Sequence, residues 1–420
     1  MESVASVSRN LLCTGCGGCM AVCPVGAIAM AESPAGFLTA QVQAHCIGCG
    51  KCRRVCPSVP ENTKDIVPED LLHGKVQAGF IGCAKNPETR LNGQSGGVVT
   101  ALLAYLLESG QADGAVVNRF DSETRRPKAV IAETAEEIYA SAGSYYTQSA
   151  VLPVLRENPG RKLAAVVLGC QGESLHLMEK QAPELVPEYR IGLICAGQNS
   201  GHMVDDICGK AGAPAPTAFR FRDKKAGGWP GEITVQTGEE THTLPNRYRH
   251  QIKPLYESFR CLSCFDQMNV WTDLVCGDPW NIPGKDTPEG WSVILARTEK
   301  GLRLLRQAEQ AGVLVLESLS EEKIFRGQTV DDRHQNKVAA AKKVAGEQGW
   351  AYPYDPERIQ LPEPSAKALE RNREKMLYTR SYAGAKTPEE AARLAEEKRN
   401  RKPPLAVRIR KWLNRRKKKS

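Results

Sequence analysis

Eight of the chain's fifteen cysteines fall between Cys13 and Cys56, in two runs that share one spacing. Residues 13–24 read Cys-Thr-Gly-Cys-Gly-Gly-Cys-Met-Ala-Val-Cys-Pro, and residues 46–57 read Cys-Ile-Gly-Cys-Gly-Lys-Cys-Arg-Arg-Val-Cys-Pro. Both are C-x2-C-x2-C-x3-C-P. Three thiolates two residues apart on a glycine-rich turn can wrap one face of a 4Fe-4S cubane. The fourth cannot reach the same cluster and crosses to the other one. The expected sets are therefore Cys13, Cys16, Cys19 and Cys56 for cluster one, and Cys46, Cys49, Cys52 and Cys23 for cluster two. Structural zinc uses four ligands from paired C-x2-C knuckles, which is a different pattern. Disulfides need an oxidising compartment, and the N-terminus has no basic-then-apolar secretory signature.

This head, residues 1–60, resembles the bacterial two-4Fe-4S ferredoxin, which implies an α+β ferredoxin-like dicluster domain. Two adjacent clusters make an electron wire, so the remaining chain is expected to hold what the wire serves.

The elements that must position such a centre follow from the rest of the 420 residues. Hydrophobic residues make up 41% and charged residues 25%, ordinary values for a globular chain of two or three domains. No apolar run approaches the ~20 residues of a membrane helix. The net charge is +9, yet residues 401–420 alone hold ten Lys or Arg and no acid. The body is thus near neutral, which argues against nucleic acid as a partner. Residues 61–75 are polar and proline-marked and read as a linker. After them, strand-like runs at Val76–Ile81, Gly114–Val117, Ala164–Leu168 and Tyr189–Ile194 alternate with helical stretches, the pattern of an α/β layer domain. Two parts are expected, 76–155 and 156–350.

The stretch from Ser95-Gly96-Gly97 to Gly110 has apolar residues at three- and four-residue spacing, with Ser95 as N-cap and Gly110 as stop. Bare N–H groups at its start suit the phosphate of a flavin nucleotide. The same residues equally suit a capped core helix whose glycines permit close packing. Neither GxGxxG after a strand nor GxxxxGK[ST] occurs, so a Rossmann site and a P-loop are unsupported. Cys170 and Cys195 end two of the strand-like runs, and Cys261 and Cys264 form a C-x2-C. These four admit one further cluster at a sheet's carboxyl edge, or simply buried thiols. Cys83, Cys208 and Cys276 read as small core residues. The seven histidines show neither triad nor metal spacing. His176 and His202, near the cysteine segments, are the two placed to donate a proton, against ordinary structural roles.

The order of segments is the informative signal in the body. Ser95-Gly96-Gly97 with Thr100, Ser141-Ala142-Gly143-Ser144-Tyr145-Tyr146, Gly169-Cys170-Gln171, Gly192-Leu193-Ile194-Cys195, Cys261-Leu262-Ser263-Cys264-Phe265-Asp266, Asp273-Leu274-Val275-Cys276-Gly277-Asp278 and Gly290-Trp291-Ser292-Val293-Ile294 follow one another over about residues 76–330. Together they resemble the beta subunit of coenzyme F(420) hydrogenases and dehydrogenases. The resemblance implies FAD, with Ser95, Gly96, Gly97, Thr100, Ser144, Tyr146 and Asp278 as contacts. It also implies a third 4Fe-4S cluster on Cys170, Cys195, Cys261 and Cys264. The implied activity is that of an iron–sulfur flavoprotein oxidoreductase. Electrons would pass between a ferredoxin-type carrier and an organic two-electron partner, the deazaflavin coenzyme or another small molecule. The alternative is an electron-transfer subunit of a larger oxidoreductase, with no substrate site of its own. Catalytic residues are not assigned. Two departures stand out: Gly169 where the family has proline, and Tyr145 where it has lysine.

From Ser365 onward Ala, Glu, Lys and Arg dominate, which reads as solvated helix running into a basic tail, 365–420. Leu405–Leu413 is a short basic amphipathic stretch with Trp412 on its apolar side. It reads either as a flexible solubilising tail or as a contact with an anionic membrane surface. The expected location is the cytoplasm, with the inner face of the membrane as the site of any such contact.

Overall fold

The computed structural model describes residues 3–63, 72–355 and 357–401. In the head, β1 (Ile28–Glu32) and β2 (Leu38–Val42) pair antiparallel. Each cysteine run enters a one-turn helix, Gly18–Ala21 or Lys51–Arg54. The two repeats enclose a small core of Val4, Ala27, Ile28 and Ala40 with Cys19, Cys23 and Cys52.

The body is built on eight strands. They are β3 (Ala78–Ala84), β4 (Gly114–Asp121), β5 (Arg126–Ala132), β6 (Leu163–Val167), β7 (Tyr189–Leu193), β11 (Leu274–Gly277), β12 (Ser292–Ala296) and β13 (Leu314–Ser318), in the order β13-β3-β12-β11-β7-β6-β4-β5. All four apolar runs of the sequence lie in this sheet, with ends displaced by at most four residues. β4, β6, β7 and β11 run parallel, and antiparallel strands flank them. The helix Val98–Glu108 covers one face, burying Leu102, Leu103 and Leu106 against Phe80, Ile191 and Ile294. Each such leucine contributes about 2 kcal/mol relative to an exposed one. On the opposite face Leu152, Leu155 and Leu175 pack with Cys16, Ala21, Val22 and Val55 of the head, so the head is docked on the sheet. A second, three-stranded sheet of β8 (Ala218–Asp223), β9 (Glu232–Thr237) and β10 (Glu240–Leu244) stands beside it.

Three local expectations change. The N-cap of Val98–Glu108 is Gly97, in the left-handed region at φ 76°, because Ser95 Oγ is spent on Asp278 instead. Around the expected linker, Pro60–Thr63 forms a turn with Thr63 buried, and Arg297 donates to the carbonyls of His73 and Lys75. Residues 64–71 lie outside the described set. The helices Ala366–Ala383 and Pro388–Asn400 are not a solvated extension, since Met376, Tyr382 and Ala391 are buried in a core shared with Ile207, Leu255 and Phe259. Small and aromatic residues set among charges supply the apolar stripe that composition alone hides. The basic stretch beyond residue 401, with Trp412, lies outside the described residues. Among the described residues no helix is long and apolar enough to cross a membrane.

Candidate metal centres and cofactor site

All fifteen thiols are unpaired. Cys23, Cys46, Cys49 and Cys52 line a single cavity, which is the cross-run set expected for cluster two. Cys19 is within electrostatic reach of Cys13, Cys16 and Cys56, the other three expected for cluster one, and also of Cys52 from the other set; Cys56 is within reach of Cys13 and Cys16. A mononuclear zinc bound at 2.3 Å would hold its sulfurs about 3.8 Å apart. Among the described residues no three cysteine sulfurs lie within 4.8 Å of one another. Burial raises the thiols of Cys13, Cys19, Cys52 and Cys56, so binding iron must displace their protons.

The body gathers its own four cysteines from three segments. β6 and β7 are parallel neighbours, and each delivers a cysteine just past its carboxyl end, Cys170 in the first turn of the helix Gly169–Met178 and Cys195 two residues beyond β7. Cys261 and Cys264 come from the short helix Phe259–Leu262 and the turn after it. Cys170 is within reach of the other three and also of Cys16, so the body's set adjoins cluster one. Burial pushes the Cys195 thiol up to about 12 and raises Cys170 and Cys264. Backbone N–H groups of Gly197 and Gln198 point at Cys195 and Cys261 Sγ, each at 3.4 Å, which favours thiolate. Gly169 answers one of the sequence's departures. A Cβ there would sit 2.7 Å from the Asp266 carbonyl oxygen, so the residue-265 loop closes over the helix start.

Between head and body lies Arg260, 1% exposed. It donates to Ser58 Oγ at 2.7 Å, to the Pro57 carbonyl at 3.2 Å and to Tyr354 OH at 2.7 Å. One fully buried cation thus ties the end of the second cysteine run to the helix carrying Cys261. Nearby Glu173 is pushed up to about 8 by burial.

β11 is the next parallel strand, and past its end stands Asp278. Its carboxylate accepts from Ser95 Oγ (2.6 Å), from both Arg222 Nη atoms (2.6 and 2.9 Å) and from Trp229 Nε1 (2.9 Å). Burial acts to raise its pKa, but Arg222, Ser95 and Trp229 outweigh that and hold it below the usual carboxylate range. Arg222 also donates to Tyr146 OH at 3.2 Å, and Arg249 lies 4.3 Å over the Tyr146 ring. Lys224 donates to the carbonyls of Arg90, Ser95 and Glu289. Burial, then Arg90 and Arg222, lower its pKa to about 8. A chain of bonds joins this network to the cysteines. Cys195 N–H donates to the Gln267 carbonyl, Gln267 Nε2 to the Gln328 carbonyl, and Gln328 Nε2 to the Asp278 carbonyl.

Of the expected flavin contacts, Ser95, Tyr146 and Asp278 meet in this network. A Cβ on Gly96 would lie 2.6 Å from the Gly82 carbonyl oxygen, and its N–H is already taken by Ser292 Oγ at 3.0 Å. Close packing therefore accounts for that glycine without an anion. No side-chain hydrogen bond joins Thr100 or Ser144 to the network among the described residues. The cations Arg222, Lys224 and Arg249 were not singled out in the sequence, although Arg220, Arg222 and Lys224 alternate along one strand and its end, which puts them on one face. They supply the positive charge that Tyr145 does not. Gln94 Oε1 is buried without a partner beside Tyr146, an acceptor that a bound ligand's N–H or O–H would satisfy. The donors here are already engaged with Asp278 and with backbone carbonyls, so what this network offers a phosphate-bearing flavin is the charge of its cations and the orphaned acceptor. His176 stacks on Trp271 and His202 bonds Tyr382 OH, so both serve packing. Cys83, Cys208 and Cys276 are buried in the core.

The models of the coenzyme F(420) hydrogenase/dehydrogenase beta subunit match here in both parts, the N-terminal one over residues 80–156 and the C-terminal one over residues 160–322. The chain belongs to that family. A 4Fe-4S dicluster domain model matches residues 12–59, which hold all eight head cysteines. The coenzyme F(420) hydrogenase subunit beta of Methanothermobacter thermautotrophicus is 29% identical over 276 residues, spanning 62% of this chain and 92% of that one. A subunit of the F(420)H(2) dehydrogenase of Methanosarcina mazei is 29% identical over 315 residues, spanning 71% and 82%. A solved chain from the F(420)-reducing NiFe hydrogenase complex of Methanosarcina barkeri matches with 22% identity and a TM-score of 0.47, over 62% of this chain and 93% of that one.

Proposed function

We propose that this chain is an iron–sulfur flavoprotein oxidoreductase, moving electrons between a ferredoxin-type carrier and an organic two-electron partner of the deazaflavin type. The observation that supports it most is the row of strand ends: β6, β7 and β11 deliver Cys170, Cys195 and Asp278 side by side, with Cys170 facing Cys16 of the head. A flavin there would exchange a hydride, two electrons at once, on one side and single electrons on the other, while clusters carry one electron each. The chain's own residues have separable tasks in this reading. The eight head cysteines hold clusters one and two, and Cys170, Cys195, Cys261 and Cys264 hold a third. Arg222 fixes Asp278 through two hydrogen bonds and so sets the position of Ser95 and Trp229 as well. Arg249 and Lys224 place positive charge for phosphate groups, and Gln94 Oε1 offers an acceptor. Sheet and head bury Cys16, Cys19, Cys23 and Cys52, while Cys46 stays exposed at the outer end of the head.

A second reading, an electron-transfer subunit without its own substrate site, draws support from the relatives above, which are named as subunits. Anaerobic assay of the isolated chain with reduced ferredoxin and the deazaflavin coenzyme separates the two. Turnover by the chain alone supports the first. Cluster reduction without turnover, restored by a co-purifying oxidoreductase, supports the second.

A further inference from the structure

His73, Asp331 and His334 converge from segments that the electron-transfer reading leaves unused. Each offers one ligand atom, and the three atoms lie within 4.8 Å of one another. His73 Nε2 is already 2.9 Å from Asp331 Oδ1. Two imidazoles and one carboxylate form a donor set suited to a first-row divalent metal. Magnesium and calcium prefer oxygen alone. Zinc bound at 2.0–2.1 Å spaces tetrahedral ligands about 3.4 Å apart, so a small side-chain rotation closes the set.

The surroundings hold each donor in place. Asp331 and His334 are three residues apart, so they share one face of a helical stretch, Val330–Asp332 running into the π-helical Arg333–Val338. His334 Nε2 is 2.9 Å from the Phe265 carbonyl oxygen, which can only accept. That nitrogen therefore carries the hydrogen, and Nδ1 keeps its lone pair. An outward hydrogen bond to a carbonyl is what metal-bound histidines usually make. On the other side, Arg297 Nη1 grips the His73 carbonyl at 2.6 Å, and the His73 ring packs on Phe325 at a centroid separation of 4.7 Å. Asp331 is exposed, which leaves the fourth position open to water, and His73 is its one partner within ion-pair distance among the described residues.

We infer that His73, Asp331 and His334 bind one divalent transition-metal ion of the zinc type, tying the segment that enters β3 to the helix behind the Cys264–Phe265 turn. The inference is independent of the flavin and of the third cluster.

The test uses the untagged, iron-loaded chain, dialysed anaerobically against zinc and then against buffer with excess magnesium, with zinc and iron counted in the same sample. One zinc per chain is expected beside an unchanged iron count. Retained zinc falls at least about tenfold in His334→Ala and in the milder Asp331→Asn. Because Asp331 is exposed, Asp331→Asn keeps the fold, and the zinc-dependent rise in melting temperature seen in the parent is absent from it. No zinc retained by the parent, equal zinc in Asp331→Asn, or zinc gained only as iron is lost would each overturn the site.

Discussion

The head and the body hold cysteine quartets by opposite means. In the head, three of every four ligands lie within seven residues, and the turn that carries them is repeated almost residue for residue. In the body, four cysteines come from three segments spread over residues 170–264, two just past neighbouring strand ends and two from the helix Phe259–Leu262 and the turn after it. Local spacing builds the first kind of site, so it survives changes elsewhere in the fold. Strand order builds the second, which makes it hostage to packing around β6, β7 and the residue-260 helix. The two come within electrostatic reach of each other at Cys16 and Cys170, which on the proposed function is where an electron would leave the head.

The largest effect expected from breaking this contrast is in the head. Cys56→Ser should remove about four irons, because the fourth thiolate of the second run completes cluster one. Cluster two should survive with its own spectrum, and electron delivery from ferredoxin to the body should stop. Loss of the Cys46–Cys49–Cys52 cluster instead would show that each run holds its own. Next comes the junction. Arg260→Leu strips donors from Ser58, the Pro57 carbonyl and Tyr354, and should cost about 3 kcal/mol by denaturant unfolding. Arg260→Lys should recover only part of that, since an ammonium cannot span three partners with a planar fork. An unchanged midpoint in Arg260→Leu would mean that the head docks without it.

A smaller change tests how tightly the two regions are fitted. A Cβ on Gly18 would land on Ser174 Oγ, whose hydroxyl donates to the Val55 carbonyl at 2.8 Å. Gly18→Ala should destabilise by about 1–3 kcal/mol, and Ser174→Gly in the same chain should restore part of it by giving room. Equal losses with and without Ser174→Gly would point away from this contact. The smallest effect is electrostatic. Lys224, lowered to about 8, is cationic below that pH and neutral above it. Affinity for a phosphate-bearing flavin should therefore be full near pH 7 and fall about tenfold toward pH 9, roughly 1.4 kcal/mol. Lys224→Arg should flatten that profile, as read by flavin fluorescence quenching across the range. A slope that persists in Lys224→Arg assigns the titration elsewhere.

How much of this was legible beforehand follows the same division. The head's dicluster pattern is a matter of chain spacing, so it could be read from Cys13 through Cys56 in the sequence. Three of the four strand runs, those of β4, β6 and β7, could be seen because parallel strands buried on both faces are nearly continuous apolar stretches. Segment order located Cys170, Cys195 and Asp278, but which residues would surround Asp278 depended on a second sheet whose placement no periodicity encodes. Arg222 and Trp229 arrive there by tertiary packing, and Arg260 reads as an ordinary helix cation until burial reveals its partners. Ser95 looked like an N-cap because serine before a helical run usually is one. Asp278, nearly two hundred residues away, outcompetes the helix for its hydroxyl. The C-terminal helices hid their apolar stripe in alanine, tyrosine and methionine spread among many charges.

On the proposed function, the strand ends of the body carry an iron–sulfur cluster beside a flavin. That claim is tested most directly by counting iron in anaerobically prepared parent and Cys261→Ser/Cys264→Ser chains, with electron paramagnetic resonance on the same samples. The expected result is about twelve irons in the parent and about eight in the variant, with one reduced-cluster signal lost and the head's two retained. About eight irons in both, with identical spectra, would contradict it.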